Sequence, residues 1–224
     1  HPSLLAHFGV TFVERALIDA FCRRYQTTVG AALRSNGLDV ELGDLHPELA
    51  GMNPADGLPT ESLATVASRH TVGLGDPLED DEVIPEEKPD DHLPVSLRAV
   101  CRHYRLHDFK IKVAGDPGAA LDRLERVVKL IGKETSGNFV TSIDGNETFE
   151  TMDAFKEFWT AARARPGLEP LWPRLMFVEQ PLHRNHALGD EVGKTVRGWS
   201  EHPPLLIDES GGSESDLRRA LDLG

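Results

Sequence analysis

Three stretches of this sequence run apolar and then end in acid: Phe139-Val140-Thr141-Ser142-Ile143-Asp144-Gly145-Asn146-Glu147, Leu175-Met176-Phe177-Val178-Glu179-Gln180-Pro181 and Pro204-Leu205-Leu206-Ile207-Asp208-Glu209-Ser210. Each reads as a β-strand whose apolar run stops at a carboxylate. Asp144, Glu179 and Asp208 stand 35 and 29 residues apart, which leaves room for one helix between each pair, the rhythm of βαβ units. Consecutive parallel strands lie about 4.8 Å apart, so the three carboxylates would project from neighbouring strand ends toward one spot. Anions crowded in this way disfavour one another's ionisation unless a cation neutralises them, and an all-oxygen set suits a hard divalent ion such as Mg2+. One strand-end Asp reads equally well as the cap of the next helix. Three in register carry the metal reading.

A fourth stretch, Asp108-Phe109-Lys110-Ile111-Lys112-Val113-Ala114-Gly115, alternates. Lys110 and Lys112 share one face of this strand, and Phe109, Ile111 and Val113 share the other. On an open sheet the lysines would face solvent; in a barrel wrapped by helices they face inward, toward the carboxylates. A lysine near a divalent cation and partly desolvated has a lowered pKa and can accept a proton near neutral pH. Lys112 lies nearer the C-terminal end of its strand, at the level of the carboxylates, and is the candidate base. Lys110 is its cationic neighbour, expected to depress the pKa of Lys112.

The remaining elements position these residues. Apolar residues from Leu4 to Arg24 recur at three and four, which predicts an amphipathic helix that buries one face. From Thr27 to Pro59 the chain is rich in Gly, Asn, Asp and Pro, with a short helix around Val29 to Ser35. His70 to Leu74 is the first strand of the alternating series. Helices follow over Val95–Arg105, Leu121–Ile131, Met152–Ala164 and Ser213–Leu223, and the expected division is 1–60 as a lead-in and 61–224 as strands one to five. Between Asp76 and Asp91 nine acidic residues face one base, Lys88, with three prolines. This reads as a solvated acidic loop, or as a lid over the strand ends that it follows. His103 and His107 at i, i+4 have no third ligand nearby, and His183 and His186 read as solvated loop residues. Gly211-Gly212 is a turn, or a place where backbone N–H groups approach a substrate anion.

The formal charge of −13 argues against a nucleic-acid or anionic-membrane partner, since either requires a basic face. Hydrophobic residues at 39% suffice for a core, and no apolar run approaches a membrane span. Cys22 and Cys101 stand far apart and outside any metal-ligand spacing, so they read as buried thiols of a reducing compartment, and a cytoplasmic location is expected.

Lys110-Ile111-Lys112, Asp144-Gly145-Asn146, Glu179-Gln180-Pro181 and Asp208-Glu209-Ser210, in this order, resemble the enolase superfamily in its mandelate racemase and muconate lactonizing enzyme branch. The resemblance covers roughly Leu4 to Gly224. It implies an α/β fold, a (β/α)7β TIM-like barrel, with Mg2+ on Asp144, Glu179 and Asp208 and with Asn146 and Glu209 beside those ligands. It implies Lys112 as the base that removes the proton α to a carboxylate, with Lys110 assisting; a lysine base with Mg2+ and an enediolate is a standard pattern of this superfamily. The function implied is that of a lyase or isomerase acting on a small carboxylate, of cycloisomerase, dehydratase or epimerase type. A homo-oligomer is expected at full length. The alternative is a non-catalytic metal-binding barrel that serves as an interaction module. Five strands are counted where a closed barrel needs eight, and the family's N-terminal capping domain has no counterpart. The chain is accordingly expected to be part of a longer protein, and to aggregate if expressed alone.

Overall fold

The computed structural model describes residues 3–88 and 90–224. The chain divides into two compact units, His1–Val66 and Ala67–Gly224.

The first unit contains α1 (Ser3–Tyr25), α2 (Val29–Arg34), α3 (Leu42–Leu45) and α4 (Pro54–Gly57). The Thr28 hydroxyl caps α2 by accepting from the Ala31 N–H, and Asn53 and Asp56 form a reciprocal capping box on α4. The long helix forms where its periodicity places it, but the expectation that it buries one face fails within this unit. Phe8, Phe12, Val13 and Leu17 are all exposed, whereas Cys22 near the C-terminal end is buried. The cause is length: a 23-residue helix runs about 35 Å. Helices of four to six residues cover only a fraction of that.

The second unit alternates strand and helix: β1 (Arg69–Val72), α5 (Leu97–Tyr104), β2 (Asp108–Lys112), α6 (Pro117–Glu134), β3 (Val140–Asp144), α7 (Met152–Arg163), β4 (Leu175–Glu179), α8 (Arg184–Ala187), α9 (Asp190–Gly198), β5 (Leu205–Leu206) and α10 (Glu214–Leu223). The strands form one five-stranded, all-parallel sheet in sequence order, so this is a mixed α/β fold. The eight strands of a closed barrel are not present among the described residues.

Local chemistry sets the boundaries. Asp116 accepts from the Ala119 N–H and Pro117 occupies the first turn, so α6 starts one turn earlier than its apolar periodicity suggests. β1 stops at Val72 because the Asp76 carboxylate captures the Gly73 N–H at 2.6 Å and turns the chain. β5 is reduced to two residues. Its last ladder bond runs from the Gln180 N–H to the Leu206 carbonyl at 2.8 Å, and beyond it a side chain takes over the backbone, as described below.

The alternation on β2 holds. Phe109 and Ile111 are buried, with the lysines on the opposite face. Both belong to one core with Leu124, Val127, Val128 and Ile131 of α6, Ile143 and Val178 of the sheet, and Phe155, Phe158 and Trp159 of α7. Each such side chain contributes about 1.5–3 kcal/mol by leaving water, which fixes which face of β2 turns away from the helices.

The acidic segment is not free over its first half. Glu79 pairs with Arg98, Glu82 with Arg126 and Asp80 with Ser96, while Arg123 donates to the Gly73 and Asp76 carbonyls at 2.7 and 2.8 Å. Glu134 gathers Arg98 and Arg102 beside it. These ties hold Asp76 to Glu82 against α5 and α6. Cys22 and Cys101 are both free thiols and both buried. Among the described residues no helix is long and apolar enough to cross a membrane.

Candidate active site

The sheet register places Lys112 opposite Asp144, Asp144 opposite Glu179 and Glu179 opposite Leu206. Lys112, Asp144 and Glu179 therefore form one row across the C-terminal ends of β2, β3 and β4. Lys110 sits one step below, opposite Ser142. The fourth member of the row is Leu206, so Asp208 stands two residues beyond it, in the turn after β5, and is exposed.

Asp144 is only 1% exposed and Glu179 6%. Burial of two adjacent carboxylates demands a countercharge. Lys110 provides it: its Nζ lies 2.7 Å from Glu179 Oε1 and 2.9 Å from Asp144 Oδ2. Desolvation pulls the Lys110 pKa down, but pairing with Glu179 and Asp144 outweighs it and leaves the pKa raised, so Lys110 keeps its proton. Lys112 is more open. Its Nζ donates to Asn146 Oδ1 at 2.6 Å and lies 3.8 Å from Asp144 Oδ2. Asn146 passes the contact on, donating from Nδ2 to Glu209 Oε1 at 3.3 Å.

Two carboxylate oxygens of this cluster, Asp144 Oδ2 and Glu209 Oε2, are buried without a hydrogen-bond partner. The Lys110 contact to Asp144 Oδ2 has the distance of an ion pair but not the alignment of a hydrogen bond. Glu209 Oε2 has no partner and Asp144 Oδ2 has only the lysine ammonium contacts, and carboxylate oxygens of this kind are the donor type that a hard cation takes. Among the described residues no three His, Cys, Asp or Glu side chains already stand together as a metal-holding group. The Lys110 ammonium contacts both strand-end acids, and Asp208 follows in the turn beyond β5, exposed.

The loops above the strands are fastened to each other. Gly145 N–H donates to the Glu179 carbonyl and Glu147 N–H to the Gln180 carbonyl, both at 2.9 Å, which carries the β3–β4 pairing past the strands. A Cβ on Gly145 would lie 2.6 Å from Pro181 Cα, so only glycine allows this approach. Asn146, Glu147 and Gln180 all have positive φ, at 41°, 62° and 34°. Non-glycine residues in that region cost of order 1 kcal/mol each and persist where surrounding bonds hold them.

Those bonds are the residues that sequence reasoning missed. Glu147 Oε1 accepts from Arg184 N and Nε at 2.8 and 2.7 Å, and Oε2 accepts from Nη2 at 2.6 Å. The Arg184 hydrogen bonds hold the Glu147 pKa down at about 2. Gln180, 1% exposed, makes four hydrogen bonds. The positions of Glu147 and Gln180, directly beside Asn146 and Glu179, were the available signal. His183 caps α8 through Nδ1, and His186 stands 3.4 Å from Glu150, so neither joins the cluster. His107 Nδ1 bonds the Asn138 carbonyl and His103 packs on Tyr104, away from it as well. A groove of about 730 Å3 lined by Lys129, Phe139, Gly167 and Arg174 lies toward the N-terminal ends of the strands, remote from this chemistry.

A scan against known protein families and a search of curated proteins each find no match. A solved structure, that of a mandelate racemase/muconate lactonizing enzyme from Roseiflexus sp., is similar at 16% identity and a TM-score of 0.43. The match covers 70% of this chain and 38% of that one, so the chain spans well under half the length of that enzyme. A likeness this distant does not bear on activity.

Proposed function

We propose that the chain forms part of an enolase-superfamily enzyme, a (β/α)7β barrel acting as a Mg2+-dependent lyase or isomerase on a small carboxylate. The observation that carries this reading is the strand-end cluster, in which two lysines meet the buried carboxylates of Asp144 and Glu179 and a neighbouring carboxylate oxygen, Glu209 Oε2, has no hydrogen-bond partner. Asp144 and Glu179, with Asp208 or Glu209 from the turn after β5, would hold the cation. Bound there, Mg2+ would supply positive charge against the enediolate that develops on the substrate carboxylate.

The residues of the chain divide the remaining work. Lys110, tied to two carboxylates, stays protonated and serves as fixed positive charge. Lys112, with one amide partner and only a distant ion-pair contact, is the lysine placed to act as base. In its neutral form its nitrogen lone pair takes the α-proton, and the C–H bonding electrons pass into the enediolate. Asn146 orients the lysine through its Oδ1 and keeps it beside Asp144.

A second reading is a barrel that binds without proton transfer, and it has the Lys110 ammonium between Asp144 and Glu179 in its favour. The two readings separate on one experiment. The protein is incubated in D2O with Mg2+ and a panel of carboxylic acids, and deuterium at the α-carbon is measured by mass spectrometry. Enzyme chemistry predicts wash-in that Lys112→Ala abolishes and Lys110→Ala only slows. No wash-in with any acid, or an undiminished rate in Lys112→Ala, contradicts the assignment.

A further inference from the structure

We propose that Gln180 is a positioning residue that fixes the turn carrying Asp208 and Glu209 to the strand-end cluster, an inference that rests on reading that cluster as a cation site. β5 ends its ladder at Leu206, so nothing in the sheet holds the two acids that follow. The Gln180 side chain replaces the missing ladder. Its Oε1 accepts from the Asp208 N–H at 2.9 Å and from the Ser210 N–H at 3.1 Å. Its Nε2 donates to the Leu182 carbonyl and to Ser210 Oγ, both at 2.7 Å.

The full capacity of an amide, two lone pairs and two N–H donors, is used. The orientation is unambiguous, because two backbone donors require the oxygen and the Leu182 carbonyl requires the nitrogen. No other side chain does the same. Asn is one methylene too short, Glu accepts but does not donate to Leu182, and Met does neither. The residue adopts a left-handed backbone, φ 34°, although it is not glycine, and its four bonds offset that strain. The turn so held delivers Glu209 to Asn146 and, through it, to Lys112.

The test combines amide hydrogen exchange by NMR with Mg2+ calorimetry on the wild type, Gln180→Met and Gln180→Glu. In the wild type the Asp208 and Ser210 amides should be protected although they lie outside any strand or helix, a result that needs no variant to fold. Gln180→Met should speed exchange at those two amides by about tenfold or more while the α6 and α7 amides keep their protection. It should also weaken Mg2+ binding roughly 10- to 100-fold. Gln180→Glu, which keeps an acceptor for the Asp208 and Ser210 amides but sets a second oxygen against the Leu182 carbonyl, should slow exchange at both amides relative to Gln180→Met without reaching the wild-type protection. Fast exchange at Asp208 and Ser210 in the wild type, or an equal acceleration of all amides in Gln180→Met, overturns the positioning role. A wild type that binds no Mg2+ overturns the cation reading alone, and the amide contrast between the two variants then decides the role of Gln180.

Discussion

The ends of β3 and β5 carry nearly the same sequence signature and behave differently. Both run apolar and close on Asp. Asp144 is buried at the top of a five-residue strand, paired in register with Lys112 on one side and Glu179 on the other. Asp208 stands exposed beyond a two-residue strand, its backbone held by a glutamine just past the end of β4. An acid at a strand end becomes buried when strands on both sides reach its level. Where the row closes on an apolar residue such as Leu206, the acid that follows belongs to the loop.

The largest effect that separates these two ends should come from Lys110. Lys110→Met leaves Asp144 and Glu179 buried without their countercharge, and the expected loss of unfolding free energy is about 3–5 kcal/mol in a denaturant titration. Added Mg2+ should recover part of it. Asp208→Asn, at the exposed end, should stay within about 0.5 kcal/mol of the wild type. Equal losses in the two variants would erase the distinction.

A smaller effect should follow from the glycines at the two ends. Gly145→Ala drives a Cβ to 2.6 Å from Pro181 Cα, a backbone atom that cannot swing aside, and should cost about 1–3 kcal/mol. Gly211→Ala meets the Asp208 carbonyl at 3.3 Å and the Ile207 side chain at 3.6 Å, neither closer than 3.0 Å, and should cost less. Thermal unfolding of the pair checks the order, and a larger loss in Gly211→Ala would reverse it.

The sequence made much of the β2–β4 end legible, and for a physical reason. Period-two alternation separates Phe109 and Ile111 from Lys110 and Lys112, and the burial of the first pair dictates the direction of the second. The β5 end was not legible, because the length of that strand depends on where Gln180 bonds, a contact between residues 28 and 30 positions apart. The Glu147–Arg184 pair, 37 positions apart, was hidden in the same way. The exposed face of α1 was misjudged because periodicity reports which residues can be buried and says nothing about the length of the partner that would cover them.

The smallest effect expected is a pH dependence at the β3 loop. The Glu147 pKa falls from 4.5 to about 2 through its bonds to Arg184. Between those values the unfolded chain binds a proton that the folded one refuses. The stabilisation is therefore full above pH 4.5 and is lost as pH drops toward 2. For a partly exposed pair it is worth about 1 kcal/mol or less. Glu147→Gln should flatten that part of the stability profile, and an unchanged slope would show that the pair contributes nothing.

The most direct test of the account is calorimetric titration of Mg2+ into the wild type and into Asp144→Asn, which keeps the shape of the side chain and removes its charge. One Mg2+ per chain is expected in the wild type, with at least about a tenfold loss of affinity in the variant, in line with the removal of a charged ligand oxygen. Equal affinity in the two proteins, or no Mg2+ binding by the wild type, would show that no cation is held at Asp144 and that the lysines neutralise these carboxylates.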